Sequence, residues 1–328
     1  MDSLIVVDLL VYAVVLAALV ALPQGRRWAF LAALAFGLRA FALCLRTRLG
    51  TDIDNYTALL SNCDLSSINA LELFWYPACI PSQLTSGVLP FPFLWVGLLD
   101  CALFIWMARL GGIRLAALHD LVYLPTQEMG AIRQALAMKY VIIAVLLYLR
   151  GRGQAHRGRT VNSLAGAALV HLSAVVPFLL VRFSTASLRV RVLMLGGAVA
   201  VGAVAASLID PALLSKIQFY LEFEGFRSTG EIYASWGKRI VVITASIALI
   251  AAPRLTWFLY AIGLAFAACE TVAAEIAVRV GAYFEQFEIF LVGSPMRPDR
   301  RSLAPLWYGF LGSAYALRFA LNIVALPR

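Results

Sequence analysis

Long apolar stretches recur along the whole chain and limit what it can fold into. Of its 328 residues, 62% are hydrophobic and 14% are charged, whereas soluble domains carry about 25% charged residues. A helix needs about 20 apolar residues to cross the hydrocarbon core of a bilayer, and roughly eight to ten such stretches are present. The sequence therefore predicts an all-α, polytopic integral membrane protein with roughly 8–10 transmembrane helices, and it excludes a soluble globular domain.

Polar segments separate the apolar stretches, but none of them is long enough to form a second domain. Residues 1–328 are predicted to form a single membrane domain, in which residues 46–86 and 210–239 are outer, periplasmic segments. The sequence contains neither an obvious internal repeat nor a hydrophilic block of domain length. Residues 4–22 lack the basic start and the cleavage site of a signal peptide, so we expect them to form a retained first helix.

Basic residues predict which helix ends face the cytoplasm, because Lys and Arg concentrate on that side. More than half of the 27 basic residues fall in short connections that contain a single acid, Asp299. The net charge of +9 therefore mostly reports topology, and we do not expect a nucleic-acid partner. The connections predicted to be cytoplasmic, with the N-terminus outside, are 24–27, 109–114, 150–159, 182–191, 253–254 and 294–301.

Two segments conflict with this topology and predict broken or re-entrant helices. Residues 115–124 must cross outward from a cytoplasmic connection, yet they are too short for a span and carry His119 and Asp120. Such a segment is tolerated at membrane depth where it is buried in protein or lines a wet cavity. Residues 161–181 form either a re-entrant hairpin that turns at 171–177 or a single span that violates the charge rule. We favour the hairpin.

Polar and aromatic side chains gather after the second apolar stretch, where a membrane helix meets water. Asp52 and Asp54 follow a glycine, and a helix cap explains them as well as catalysis does. Glu72 precedes an aromatic run that also fits an ordinary interfacial belt. The candidate site residues in this segment are Arg48, Asp52, Asp54, Tyr56 and Glu72.

Arginines in or beside apolar segments form a second group of candidates. Arg133 opens a helix and is either a phosphate ligand, because a guanidinium binds phosphate oxygens in pairs, or the partner of Glu128. Glu275, Arg279 and Tyr283 recur every four residues on one helical face. The alternative there is an internal pair between Glu275 and Arg279. Ionisable groups in membrane helices are costly, and by default they mark a working cavity.

His171 lies in a predominantly apolar stretch, at the point where the sequence predicts a helix break. It is either a hydrogen-bonded core residue or a proton acceptor, since the ordinary pKa of an imidazole is about 6.5. We find no P-loop, Gly-rich fingerprint, HExxH motif or serine elbow. Neither a cofactor nor a metal is predicted.

The cysteines follow no metal-binding spacing. Cys63 and Cys79 lie in the first outer segment, where a disulfide is chemically permitted. Cys44, Cys101 and Cys269 lie in apolar stretches, and we expect them to be packing residues.

Several of these motifs, in this order, resemble the EpsG family, which is related to Wzy-type polysaccharide polymerases. The resemblance extends over residues 46–292. It rests on Arg48-x-Gly50-Thr51-Asp52-x-Asp54-x-Tyr56, Glu72 with its aromatics, Arg133-Gln-Ala-Leu-Ala137, His171-x-Ser173-Ala174 and Arg279-x-x-x-Tyr283-Phe284.

The resemblance implies a GT-C-like glycosyltransferase of the bacterial inner membrane. Such an enzyme joins repeat units carried on undecaprenyl pyrophosphate at the outer leaflet. Its implied partners are lipid-linked oligosaccharides as donor and acceptor, membrane lipid and a regulator of chain length. It implies two groups of site residues: Asp52, His171 and Glu72 for catalysis, and Arg48, Tyr56, Arg133, Arg239, Arg279 and Tyr283 for binding the substrate and its pyrophosphate.

The residue chemistry agrees with this reaction. An acceptor hydroxyl attacks the anomeric carbon, and negative charge grows on the departing pyrophosphate. Fixed guanidinium groups stabilise that charge without a metal, a role we assign to Arg133, Arg279 and Arg239. A carboxylate or imidazole takes the hydroxyl proton, and Asp52 is the first choice, before His171.

Two other classes of protein also fit the sequence. Broken helices and intramembrane arginines serve transporters, so a flippase for an anionic lipid-linked glycan is the main alternative. A transporter's charged groups should line a path from both sides, whereas the unexplained ones here gather toward the predicted outer side. An accessory subunit without an active site would be insensitive to replacement of Arg133 or Arg279.

Overall fold

The computed structural model describes residues 2–22, 26–45, 94–125, 131–151, 154–185, 229–269 and 274–324. These described residues form helices joined by short connections, and they contain no extended strand. Two compact units divide the chain: a first unit of Met1–Leu172 with Gly293–Arg328, and a second unit of Ser173–Val292. The all-α fold class is therefore confirmed.

The first unit contains seven described α-helices. They are α1 (Asp2–Ala21), α2 (Arg26–Leu45), α3 (Leu94–Gly111), α4 (Ile113–Tyr123), α5 (Ile132–Arg150), α6 (Gln154–Val170) and α12 (Ala304–Val324), the last preceded by a 3₁₀ turn at Pro298–Leu303. Helix α1 packs against α2, α4 and α12, while α5 packs against α3 and α6. Helix α5 is the most enclosed of them, with 78% of its span buried.

The second unit contains five described α-helices. They are α7 (Val175–Thr185), α8 (Thr229–Leu249), α9 (Arg254–Ala268), α10 (Ala274–Glu285) and α11 (Phe287–Gly293). Helix α10 packs against α9 and also contacts α7. Aromatic rings support this packing, since Phe266 of α9 stacks on Phe284 of α10 with their ring centroids 5.9 Å apart.

Four of the described helices are long and apolar enough to cross a membrane: Ser3–Ala21, Trp28–Leu45, Leu94–Gly111 and Ile132–Arg150. Each lies in a long, predominantly apolar stretch of the sequence, and a helix satisfies the backbone of such a stretch within lipid. The polytopic membrane class follows from these helices. The number of eight to ten crossings stays a prediction for the whole chain.

The short segment after the third helix has the form that the sequence predicts. Helix α4 has 11 residues, and His119 and Asp120 are among its buried side chains. Glycine at position 112, with φ of +90°, makes the turn that separates α3 from α4, a conformation that other residues rarely adopt. A helix too short to span is thus enclosed by protein, as its polar residues require.

Helix α6 ends at Val170, and His171 follows it before a 3₁₀ turn at Leu172–Ala174 and helix α7. The predicted break at His171 is therefore present. The preference for a re-entrant hairpin over a single span stays a prediction.

The helix that carries Arg279 and Tyr283 ends at Glu285, and a second, short helix follows it. Helices α10 and α11 are separated by a turn at Gln286. The side-chain Nε2 of Gln286 donates a hydrogen bond to the carbonyl of Tyr283 at 2.9 Å. A side chain that bonds to the backbone in this way competes with the helical ladder, and the break sets the positions of the acids on either side.

Three of the predicted cytoplasmic connections meet in the first unit. Arg114 donates to the carbonyl of Leu22 at 3.3 Å, and its guanidinium lies 4.0 Å from the ring centroid of Tyr308. The Tyr308 hydroxyl in turn donates to the carbonyl of Ser294 at 2.9 Å. The ends of α1, α3 and α12 thus lie close together, as they must if the three connections are on the same side of the membrane. That this side is cytoplasmic stays a prediction.

Close packing of α1 against α12 depends on a glycine. A Cβ atom at position 312 would lie 2.9 Å from the carbonyl oxygen of Ala17, and small residues allow such close approach between membrane helices. We expect Gly312→Val to lower the free energy of unfolding by about 1–3 kcal/mol, measured by denaturant unfolding in mixed micelles. The control is Gly309→Val on the same helix, where an added Cβ meets nothing within 4 Å. Equal losses in both variants would contradict the contact.

Candidate functional site

Ion pairs join three parts of the second unit and bring together two basic and two acidic residues. The Nη2 of Arg239 lies 2.7 Å from Oε1 of Glu285, and the Nζ of Lys238 lies 3.0 Å from Oε1 of Glu288. The hydroxyl of Tyr260 donates to Oε2 of Glu288 at 3.4 Å. We call these five residues the α8–α11 cluster.

Local sequence explains why these side chains meet. Residues 229–239 of α8 include Glu231 and the two basic residues of the cluster, whereas residues 240–249 carry no charge. The cluster therefore lies where the polar half of α8 gives way to its apolar half. On the opposite wall, the turn at Gln286 separates Glu285 from Glu288. Gly263 of α9 lets α9 approach, since a Cβ there would lie 2.9 Å from the backbone nitrogen of Glu285.

The α8–α11 cluster has a closed part and an open part. The side chains of Arg239 and Glu288 are 4% and 6% exposed, and Tyr260 is buried. Glu285 is 28% exposed and Lys238 is 40% exposed. A buried guanidinium is thus paired with a carboxylate that is partly exposed to solvent.

Two of the sequence motifs are joined in the second unit. The Oγ of Ser173 donates a hydrogen bond to the hydroxyl of Tyr283 at 3.2 Å, and Tyr283 is fully buried. Arg279, one turn earlier on α10, is exposed, so these two predicted site residues of the same helix differ in environment. The side chain of Glu275 lies outside the described residues, and its predicted pair with Arg279 is untested.

Two further predicted site residues belong to the first unit. Arg133 is the second residue of α5 and is half-buried, next to buried Gln134. The same turn of α5 contributes Ile132 to a small cleft between α2, α3 and α5, which has room for about one water molecule. His171 is half-buried, and its backbone nitrogen donates to the carbonyl of Ala167 at 3.0 Å.

The first candidate segment lies outside the described residues. Its site residues are Arg48, Asp52, Tyr56 and Glu72, and their roles remain predictions. Asp54, Cys63, Cys79 and Glu128 lie outside as well. Cys44 and Cys101 are buried as expected, but Cys269 is exposed, so a packing role for it within this chain is wrong.

A buried ionic network crosses the first unit, and sequence reasoning did not place it in the site. Arg39 of α2 pairs with both Asp100 and Asp120. Lys139 of α5 lies 2.6 Å from Asp100, and the hydroxyl of Tyr12 donates to Asp120 at 2.5 Å. These five residues, the α1–α5 network, are all buried.

The α1–α5 network has two cationic and two anionic side chains, so their formal charges balance. Buried charges of this kind are paired in proteins because an isolated one costs several kcal/mol. The sequence signal was present, since Arg39, Asp100 and Lys139 each interrupt an apolar run. A single sequence does not show which of these residues pair with each other, because the partners lie far apart in the chain.

The residues of each unit have their own chemistry. In the second unit, Arg239 offers a planar donor that matches carboxylate and phosphate oxygens. In the first unit, His171 offers an imidazole, a side chain that can donate and accept protons. Among the residues that the structure describes, no group of three His, Cys, Asp or Glu residues is placed to hold a metal ion.

Helices long enough to cross a bilayer, together with charged side chains in their interior, define an α-helical polytopic membrane protein with functional polar groups at depth. The comparisons with known proteins make the class more specific. The family model for the EpsG family matches residues 29–326. The chain therefore belongs to the EpsG family of Wzy-like polysaccharide polymerases, and it is a membrane protein of the polysaccharide-polymerase class. No curated protein and no solved structure matches it.

Proposed function

We propose that this protein is a glycosyltransferase that polymerises oligosaccharide repeat units carried on undecaprenyl pyrophosphate. It acts at the outer leaflet of the bacterial inner membrane, with residues 46–86 and 210–239 as its periplasmic segments. The donor and the acceptor are both lipid-linked oligosaccharides, and a separate regulator sets the chain length. The family membership supports the polymerase class. The undecaprenyl carrier and the outer leaflet are further parts of our proposal.

The observation that carries the proposal is the buried guanidinium of Arg239, paired with a carboxylate that is partly exposed. Transfer of a glycan from a lipid diphosphate leaves two phosphates whose negative charge must be stabilised as the glycosidic bond breaks. A fixed guanidinium in a partly dry site stabilises such charge far better than water does. It also needs no metal, and we propose that the reaction is metal-independent.

The binding group consists of cationic and aromatic side chains. We assign Arg133 and Arg239 to the diphosphate, and each of them is at least half-buried. Arg279 is exposed, and we assign it to a more peripheral part of the ligand. Tyr283, which accepts a hydrogen bond from Ser173, is assigned to the same group. Arg48 and Tyr56 complete the group from the first periplasmic segment.

The catalytic group accepts one proton from the acceptor hydroxyl. As that oxygen forms a bond to the anomeric carbon, the bond from the same carbon to the diphosphate oxygen breaks. The leaving diphosphate keeps the electron pair, and its arginine partners hold the charge. Asp52 is our first choice as proton acceptor, with His171 and Glu72 as the other candidates. His171 is half-buried and directly follows the end of α6.

The test is polymer formation by the purified chain in the presence of EDTA. With a synthetic lipid-linked repeat unit as the only glycan, we expect a ladder of longer products on a gel, and the ladder should persist when metals are chelated. Asp52→Ala should abolish the ladder, while Asp299→Asn, an exposed acid in a predicted cytoplasmic connection, should leave it intact. No ladder with any lipid-linked donor would contradict the proposal and favour a transporter.

A further inference from the structure

Arg239, which we assign to the departing diphosphate, already has an anion beside it. The carboxylate of Glu285 lies 2.7 Å from its Nη2. We propose that Glu285 is an exchangeable counter-ion of Arg239, which the lipid diphosphate displaces on binding and which returns when the diphosphate leaves. This inference rests on the proposed function, because it takes Arg239 to be a ligand of the diphosphate.

Glu285 is held less firmly than its neighbour Glu288. It is the last residue of α10, a helix of 12 residues, and the C-terminal end of a helix carries partial negative charge that disfavours a carboxylate. Glu288 is instead held from two sides, by Lys238 and by Tyr260. Of the two acids facing α8, Glu285 is therefore the one that can move aside.

The open side of the α8–α11 cluster allows such an exchange. The Glu285 side chain is 28% exposed while that of Arg239 is 4% exposed, so the carboxylate can turn toward water without the guanidinium leaving its place. A carboxylate and a phosphate compete for the same planar donors of an arginine. A diphosphate brings more negative charge than a single carboxylate, and this difference drives the exchange.

The pair then has two consequences for the reaction. In the empty protein, Glu285 pairs directly with the buried guanidinium of Arg239, and loss of a partner from a buried ion pair is destabilising. During binding, Glu285 competes with the diphosphate for Arg239. The apparent affinity for the diphosphate is therefore lower than the affinity of a guanidinium that Glu285 does not occupy. After transfer, its return assists release of the carrier diphosphate. Glu285 is therefore a residue that tunes binding and release and has no contact with the reacting carbon.

The test is binding of a fluorescent short-chain polyprenyl diphosphate to the full chain in nanodiscs. We expect Glu285→Gln to bind the probe about tenfold more tightly than wild type, because the competing charge is gone. Arg239→Gln should bind it at least tenfold more weakly, because a charge-assisted hydrogen bond is lost. The control is Asp299→Asn, an acid of the first unit whose side chain is 67% exposed, and this variant should stay within about threefold of wild type.

Stability is measured beside binding, since Glu285→Gln removes the charge of the carboxylate that pairs directly with Arg239. The probe should raise the melting temperature of this variant by more than it raises that of wild type. Glu285→Asp, which retains the charge on a shorter side chain, should shift binding in the same direction by a smaller factor. Glu285→Asp also tests the counter-ion role if Glu285→Gln does not fold.

These measurements distinguish failure of the counter-ion role from failure of the proposed function. Equal or weaker binding by both Glu285 variants, with normal binding and a normal ladder from wild type, overturns the counter-ion role alone. If wild type itself neither binds the diphosphate probe nor forms a ladder, the proposed function has failed.

Discussion

Replacement of Arg39 by methionine is expected to lower the free energy of unfolding by about 3–5 kcal/mol, because it removes one member of a buried ionic network. Arg39 is fully buried and pairs with both Asp100 and Asp120. In the variant, Asp100 retains Lys139 at 2.6 Å, but Asp120 loses its cation and has the hydroxyl of Tyr12 beside it. The measurement is denaturant unfolding of the purified protein in mixed micelles.

A second substitution separates charge from packing. Asp120→Asn in the Arg39→Met background removes the carboxylate that lost its cation, and we expect it to recover part of the stability. The control is Arg318→Met on α12, an exposed arginine, for which we expect a change of no more than about 0.5 kcal/mol. If Arg39→Met and Arg318→Met cost the same, the α1–α5 network does not contribute to stability in the way its geometry indicates.

Replacement of Arg133 by alanine is expected to slow polymer formation by about 10²–10³-fold, the loss that follows removal of one donor to a developing anion. Arg133 lies in the first turn of α5, half-buried, where it can face a ligand near the helix end. Arg133→Lys should recover only part of the rate, because an ammonium keeps the charge but lacks the planar pair of donors. The measurement is the initial rate of ladder formation.

The control for this prediction is Arg150→Ala, at the other end of α5. Arg150 is exposed and occupies a predicted cytoplasmic connection, so its loss should leave the initial rate unchanged. Both variants should keep the melting temperature of wild type within a few degrees. A full rate in Arg133→Ala would remove this residue from the site.

The parts of the fold that could be predicted are those that depend on local composition. The spans Trp28–Leu45 and Ile132–Arg150 follow from apolar runs of sufficient length. The break at His171 follows from a conflict between span length and flanking charge. In each case the constraint comes from the bilayer, which acts on every segment separately and leaves few choices for its backbone.

The parts that could not be predicted depend on contacts between distant residues. Asp100 stands out in its apolar run, but its partners on α2 and α5 are fixed only by packing. The break at Gln286 arises from one side-chain hydrogen bond to Tyr283, in a stretch that otherwise reads as helix. Arg239 was assigned to the pyrophosphate from sequence, and its pair with Glu285 adds a competing anion that spacing did not reveal.

The central claim is that this chain itself forms glycosidic bonds with a lipid diphosphate as leaving group. The most direct measurement uses proteoliposomes that contain the purified protein and a lipid-linked repeat unit, and it counts carrier diphosphate released against linkages formed. We predict one carrier diphosphate for each new linkage, with both rates reduced together in Arg133→Ala. Movement of intact lipid-linked repeat units across the bilayer, with no linkage formed and no carrier released, would contradict the claim.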